Sequence, residues 1–305
     1  MKNIIVRMRG GLGNQLFIYA YARAIQERNK NAKILLDLRG YKKFKLRSFD
    51  LSFFSLNSYV GNFKTSDISN LGNIIYTCTR KLYQVLFYIN REVFKKNNKL
   101  LNLPFFKFGF LYNGNDYMGL STIPDKKNVY VFGYYQDKKY VDTVRSEIVK
   151  ELRLKPKLSK KANEFKNQIN SSTNSIAVSI RCGDDYKKLG WPLCSIKYYK
   201  KGIEYIQNKI PNADIYIYSD EIETVKKSFG FTDNVTYIEG CSGYESLYLM
   251  SLSNHFVIAN SSFSWWGAYL SQNKNKIVVA PTFWYRNKKT KDTGLYSGQM
   301  VLIDN

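Results

Sequence analysis

The sequence predicts an α/β protein made of two Rossmann-type halves that face each other across a cleft. Three observations predict it. Residues 175–280 alternate short β-branched runs with amphipathic helical stretches, the pattern of a doubly wound parallel sheet covered by helices. The first forty residues carry the same pattern as a βαβ unit around a glycine-rich turn. With 305 residues the chain can build two cores, and Lys155–Lys161 (KPKLSKK), polar, basic and holding a proline, is the predicted linker. The predicted domains are therefore 1–155 and 156–305.

In the first half, Asn3–Met8 reads as a strand and Arg9–Gln15 (RGGLGNQ) as the turn. A helix over Leu16–Asn29 follows, with Phe17, Ala20, Tyr21 and Ala24 on one face, and then a strand over Ala32–Leu38 that places Asp37 near its end. The turn is not a dinucleotide fingerprint, because Leu16 stands where the third glycine of G-x-G-x-x-G belongs. It still offers backbone amides and a helix N-terminus to an anion, and Asn14 adds a side-chain donor and acceptor. From Tyr41 to Tyr117 the pattern is irregular, with one helix predicted over Leu82–Val93 among insertions and loops. Val129–Tyr135 reads as a strand, and Lys139–Leu152 as a helix that ends ahead of Pro156.

The second half is more regular. Strand Ile176–Ile180 delivers Arg181 into a Gly/Asp-rich turn. Further strands are predicted at Asp214–Tyr218, Val235–Glu239, His255–Ala259 and Lys276–Ala280. The helices between them cover Ser195–Ile210, Glu221–Phe229, Tyr244–Asn254 and Ser261–Ser271, with Ser195 as an N-cap.

Composition narrows the function. Hydrophobic content of 44% and aromatic content of 16% are those of a folded globular chain. The apolar run in MKNIIVRMRGG is too short for a signal peptide, and Leu82–Ile89 is too short to span a bilayer, so a cytoplasmic chain is expected. Four scattered cysteines (Cys78, Cys182, Cys194, Cys241) and one histidine, His255, do not supply the usual zinc sets and read as free thiols. The single histidine also weighs against a Ser-His-Asp or Cys-His mechanism. The formal charge of +23 admits nucleic acid, an anionic membrane surface or a phosphate-bearing substrate. Lysines occur singly or in pairs without a long basic arm, which favours a peripheral membrane contact or an anionic substrate over nucleic acid.

Three predicted strand ends carry polar residues: Arg181 with Asp184, Ser219-Asp220, and Asn260-Ser261-Ser262. In an open α/β sheet, ligands sit beyond the carboxyl ends of the strands. A guanidinium there suits a diphosphate, and an ion pair with Asp184 or Asp185 that merely closes the turn is equally open. Ordinary helix capping is the competing role for the serines and for Asp220. Together on one sheet edge, they point to a nucleotide-diphosphate site. Trp265 and Trp266 read as core. Asp184-Asp185 is adjacent, not the Asp-x-Asp spacing of metal-dependent glycosyl transfer, so no metal is expected and arginine would neutralise the leaving charge.

RGGLGNQLFIYAYARAI (Arg9–Ile25), GYYQDKKYV (Gly133–Val141), SIRCGDD (Ser179–Asp185) and IANSSFSWWGAYL (Ile258–Leu270) resemble the α-1,2-fucosyltransferases of bacteria and animals, glycosyltransferase family 11. The likeness runs in order across nearly the whole chain. It implies a GT-B-like fold and metal-free, inverting transfer of L-fucose from GDP-β-L-fucose, with no cofactor, to O2 of a galactose in an oligosaccharide or surface polysaccharide, on an acceptor free or lipid-linked. By resemblance, residues 1–155 take the acceptor side and 156–305 the GDP-sugar. The family's His-x-Arg-Arg-x-Asp motif falls on Ser179–Asp184, so Arg181 matches the arginine that neutralises the departing phosphate, and Asp184 matches the aspartate. Ser261, Ser262 and Phe263, with Ser264 beside them, match the segment that wraps the phosphates. Gly13 and Asn14 match the glycine-loop residues that reach the donor or acceptor. Donor contacts are thus expected from Gly13, Asn14, Ser179, Arg181, Asp220 and the Ser261–Ser264 turn, and Asp37 and Asp184 are the candidate bases. Ser179, Cys182 and Ser246 replace a histidine, an arginine and an aspartate of the family pattern. A relative using another nucleotide sugar is the competing expectation, and a basic nucleic-acid-binding protein a more distant one.

Overall fold

The computed structural model describes residues 2–41, 48–57, 59–92, 99–112, 124–183, 190–231, 234–286 and 288–305. The chain divides into two compact units, Met1–Lys155 and Pro156–Asn305.

Unit 1 is built on a five-stranded parallel sheet. Strands β1 (Asn3–Arg7), β2 (Lys33–Asp37), β3 (Val60–Asn62), β4 (Phe110–Tyr112) and β5 (Asn128–Phe132) lie in the order β3-β2-β1-β5-β4. Ile4, Ile5 and Val6 of β1 are fully buried, as a central parallel strand covered on both faces requires. Helix α1 (Leu12–Glu27) begins earlier than its apolar periodicity suggests, so Gly13, Asn14 and Gln15 form its first turn. Only Gly10 has the left-handed conformation, at φ +76°, which turns the chain from β1 into the helix. Gln15 pins that turn: its side chain donates to the carbonyls of Gly10 and Ser48 and accepts the amides of Asp50 and Leu51.

The segment predicted as one helix over Lys139–Leu152 is two, α4 (Lys138–Asp142) and α5 (Arg145–Glu151). Val144 between them leaves the helical region, with φ −132° and ψ 24°. The break lets Glu151 meet α1, where it accepts the Tyr19 hydroxyl at 2.5 Å and Arg23 Nε at 3.0 Å in the core. In the irregular stretch, α2 (Asn70–Glu92) is twice the predicted length and α3 (Lys99–Lys107) follows it. Tyr76, Tyr83, Phe110, Tyr112 and Tyr130 form an aromatic core between these helices and the sheet.

Unit 2 starts with α6 (Lys160–Ser171), so the last two residues of the predicted linker are helical. Its sheet is also parallel: β6 (Ser175–Ile180), β7 (Asp214–Ser219), β8 (Val235–Tyr237), β9 (His255–Val257), β10 (Val278–Pro281) and an edge strand that the sequence pattern did not reveal. Counting a short hairpin of β11 (Phe283–Tyr285) and β12 (Lys288–Lys289), that edge is β13 (Met300–Ile303), and the order is β13-β10-β9-β6-β7-β8. The covering helices are α7 (Ile196–Gln207), α8 (Ile222–Ser228), α9 (Gly243–Leu252) and α10 (Ser262–Leu270). Ser195 caps α7 as expected, its hydroxyl accepting the Tyr198 amide. Gly267 lets α10 press on α9, since a Cβ there would stand 2.2 Å from the Met250 sulfur. His255 is buried with Nδ1 accepting the Ile277 amide, and burial lowers its pKa.

Candidate functional site

In both sheets the order in which strands are added reverses at the centre. In unit 2, β6, β7 and β8 add to one side and β9 and β10 to the other, so the switch point lies between β6 and β9. Ligands collect beyond the strand ends at such a point. Arg181 leaves β6 there, and Asn260 and Ser261 leave β9, whose end is tied to β6 by the Ala259 amide donating to Ser179.

Arg181 is held by Asp220, which follows β7. Its Nη1 lies 2.9 Å from Asp220 Oδ2, and the side chains are 17% and 21% exposed. The same carboxylate accepts the amides of Cys182 at 3.1 Å and Gly183 at 2.9 Å. Asp220 therefore braces the whole Arg181–Gly183 turn; its position after the strand made it visible in the sequence, but not this use. An arginine fixed by a carboxylate and still in contact with solvent presents an oriented positive charge.

The α10 terminus provides the second half of this site. Ser261 is the N-cap, its hydroxyl accepting the Phe263 amide at 3.3 Å. The start of α10, with its Phe263 amide held by this cap, sets the positive end of the helix dipole at this edge. Ser264 does not belong with them: it is fully buried and its hydroxyl donates to the carbonyls of Ala259 and Ser261. Ser179 is likewise interior, inside β6 and opposite Tyr218, not beyond the strand end. Trp265 and Trp266 are buried, with the Trp265 indole donating to Leu295. Asn260 secures the surrounding loops, donating to Pro192 at 2.9 Å and to Trp284 at 3.1 Å. It borders a cavity of about 260 Å³ lined also by Leu193, Phe283, Tyr285 and Arg286.

In unit 1 the switch point lies between β1 and β5. Asn14 sits in the first turn of α1, and Gln136, four residues beyond β5, donates to its Oδ1 at 2.7 Å. Arg9 lies over the rings of Phe132 and Tyr134, at 5.2 and 4.5 Å from their centroids. Gln136 and Arg9 were not singled out by sequence reasoning, although both lie within quoted motifs, Arg9 opening RGGLGNQ and Gln136 inside GYYQDKKYV. Gly13 is buried within α1.

The two candidate bases fare differently. Asp37 is 0% exposed. Its carboxylate meets Arg7 at 2.8 Å, Arg39 at 2.9 Å on both oxygens and the Tyr76 hydroxyl at 3.1 Å. Burial alone would raise its pKa, but the Arg39 bond and the charges of Arg7 and Arg39 take it below the usual carboxylate value. A carboxylate so enclosed and so stabilised as the anion has neither the access nor the basicity of a general base, which corrects the expectation drawn from its place at a strand end. Asp184 lies outside the described residues. Among the described residues, no group of three or more His, Cys, Asp or Glu side chains is arranged to hold a metal ion.

The comparisons with known proteins agree with this architecture. The chain is 30% identical over 299 residues to an alpha-1,2-colitosyltransferase of Escherichia coli, covering 95% of this chain and 94% of that protein. It is 26% identical over 307 residues to the O-antigen biosynthesis glycosyltransferase WbnK of Escherichia coli, covering 94% and 96%. Among solved structures, fucosyltransferase NodZ from Bradyrhizobium shares the fold with a TM-score of 0.56 at 14% identity, over 88% of this chain and 93% of that one. The two-unit arrangement of parallel sheets is of the GT-B type. Residues 3–301 match the Glycosyl transferase family 11 profile, and the chain is a glycosyltransferase of that family.

Proposed function

We propose that the protein transfers L-fucose from GDP-β-L-fucose to O2 of a galactose, with inversion and without a metal, in building a surface polysaccharide such as an O-antigen. The observation that carries this reading is Arg181, fixed by Asp220 at the switch point of unit 2 beside the α10 N-terminus. Displacement at the anomeric carbon passes through an oxocarbenium-like state while charge builds on the departing diphosphate. Arg181 and the positive end of the α10 dipole meet that charge, and the adjacent cavity with Tyr285 and Arg286 takes the rest of the donor. Unit 1 serves the acceptor through Asn14, Gln136 and Arg9. The acceptor hydroxyl loses its proton late, to Asp184 or to solvent, because a stabilised diphosphate is a good leaving group and needs little help from a base.

A second reading, colitose as the transferred sugar, is favoured by the 30% identity to the colitosyltransferase and by Ser179 and Cys182, which depart from the fucosyltransferase pattern. One experiment separates them: turnover of GDP-, UDP- and ADP-sugars, including GDP-fucose and GDP-colitose, on a panel of galactosides, with and without EDTA. GDP-fucose turned over fastest and unaffected by chelation is the expected result. Preference for GDP-colitose would establish the second reading, and a strict need for magnesium would refute the metal-free mechanism.

A further inference from the structure

Helix α2 carries an outward face that the fold of unit 1 does not use. It buries Tyr76 and Tyr83 against the aromatic core. Leu71, Ile75, Cys78, Leu82, Val85 and Ile89 recur at alternating spacings of four and three residues and so form one continuous stripe. All six are exposed, Val85 at 57%. Exposed Ile74 and Tyr88 widen the stripe beyond the narrow seam of a coiled coil. Phe108, just past the end of the neighbouring α3, is 72% exposed. That helix is fastened to α2 by the Tyr83 hydroxyl donating to Asn102 at 2.8 Å and by the Phe105 ring packed edge-on against Tyr83. A row of aliphatic side chains this long on a monomer's surface marks an interaction site.

The charges beside the stripe say what covers it. From Val60 to Tyr112 the sequence holds eight basic residues and two acidic ones, and in α2 the one carboxylate is Glu92, its last residue. Lys81 is exposed within the stripe, and Lys107 is exposed next to Phe108. A second copy of the helix laid on this face would oppose cation to cation, with no glutamate or aspartate ahead of the helix's last residue to set pairing between helices. An anionic bilayer answers both features. The aliphatic stripe and Phe108 enter the acyl boundary, Tyr88 sits at the headgroup level, and the lysines and arginines meet lipid phosphates. We propose that the α2–α3 face of unit 1 docks the protein on an anionic lipid surface. This docking is independent of the nucleotide site, which lies in unit 2.

The test is co-sedimentation of the full chain with phosphatidylcholine vesicles, with or without phosphatidylglycerol, at low and high salt. Binding should require phosphatidylglycerol and weaken with salt. In the double variant Leu82→Glu, Val85→Glu it should fall at least about tenfold, with the circular dichroism spectrum and melting unchanged, since both side chains lie outside the core. Val85→Trp supplies a direct readout of insertion, with emission shifting to the blue only on phosphatidylglycerol vesicles. The proposal is overturned by absence of vesicle binding, by full retention in the double variant, which would mean that diffuse charge alone binds, or by a wild-type dimer that the double variant dissociates, which would give the face to a second copy.

Discussion

Each sheet has, at its centre, a strand that ends in an arginine paired with an aspartate at the end of the next strand. In unit 1 the pair is Arg7–Asp37 at 2.8 Å, and in unit 2 it is Arg181–Asp220 at 2.9 Å. The positions correspond, yet the pairs do opposite work. Asp37 is sealed in the core, with Arg39 stacked on Phe63 and Tyr76 above it and every oxygen engaged by a guanidinium or a hydroxyl. Asp220 is partly exposed and spends its other bonds on the amides of a turn. A strand-end carboxylate can thus either rivet a fold or aim an arginine. Burial and the type of its partners, which one-dimensional pattern does not contain, decide which.

The largest effect expected from this contrast is on stability. Asp37→Ala strands two arginines around a buried gap and should cost about 3–5 kcal/mol in urea unfolding. Trp191, Trp265, Trp266 and Trp284 all lie in unit 2. Far-UV circular dichroism should therefore show an early transition of unit 1 that tryptophan emission misses; coincident transitions would break the comparison. Next is Arg181→Ala, which should lower the rate of glycosyl transfer 10²–10³-fold, about 3–4 kcal/mol of transition-state stabilisation. The pair is partly exposed, unlike the sealed Asp37, so the variant should change unfolding by less than Asp37→Ala does. Asp220→Asn, which keeps the shape of the brace, should cost about tenfold in rate, or about 1.4 kcal/mol. A loss as deep as that of Arg181→Ala would place Asp220 itself on the reacting groups.

The smallest effects are in the pH dependence. The folded-state pKa of Asp37 is lowered, so its stabilisation is complete above the ordinary value of 3.8 and disappears as pH falls through the lower folded value. Asp37→Asn should flatten that acid limb in unit 1. His255 also has a lowered pKa, and because it is a base the unfolded chain takes up its proton first. Stability of unit 2 is then complete above 6.5 and declines as pH falls below it, a shallow loss that His255→Asn should remove from the tryptophan-monitored transition.

Unit 2 was legible because its strands are short β-branched runs separated by well-capped helices, so Ile176–Ile180 and Asp214–Tyr218 each agree with the structure to within one residue at either end. The edge strand β13 escaped notice, since Met300–Ile303 is half-buried and follows a long irregular stretch. In unit 1, Tyr and Phe serve both as strand and as helix residues, which hid β4, while β3 is three residues with a glycine at its middle and the first half of α2 carries its apolar residues on two faces. The candidate site divides the same way. The places of Arg181 and Ser261, which follow from position, could be read from strand ends. Ser264 and Asp37 could not, because a hydroxyl turned back onto Ala259 and a carboxylate enclosed by Arg7 and Arg39 are facts of packing.

The central pairing of each sheet also dictates when its site comes into being. The neighbours of β1 include β5, and the Asn14–Gln136 bond joins residues 122 apart in sequence; Ser175 and Asn254, which bond where β6 meets β9, are 79 apart. Contacts between such distant residues form late, because loop closure must be met before they contribute. On the ribosome the glycine turn therefore waits for nearly the whole of unit 1 to emerge before Gln136 reaches it. The Arg181 turn, whose brace Asp220 is only 39 residues downstream of it by numbering, takes shape before β9 and the α10 terminus arrive to complete the site.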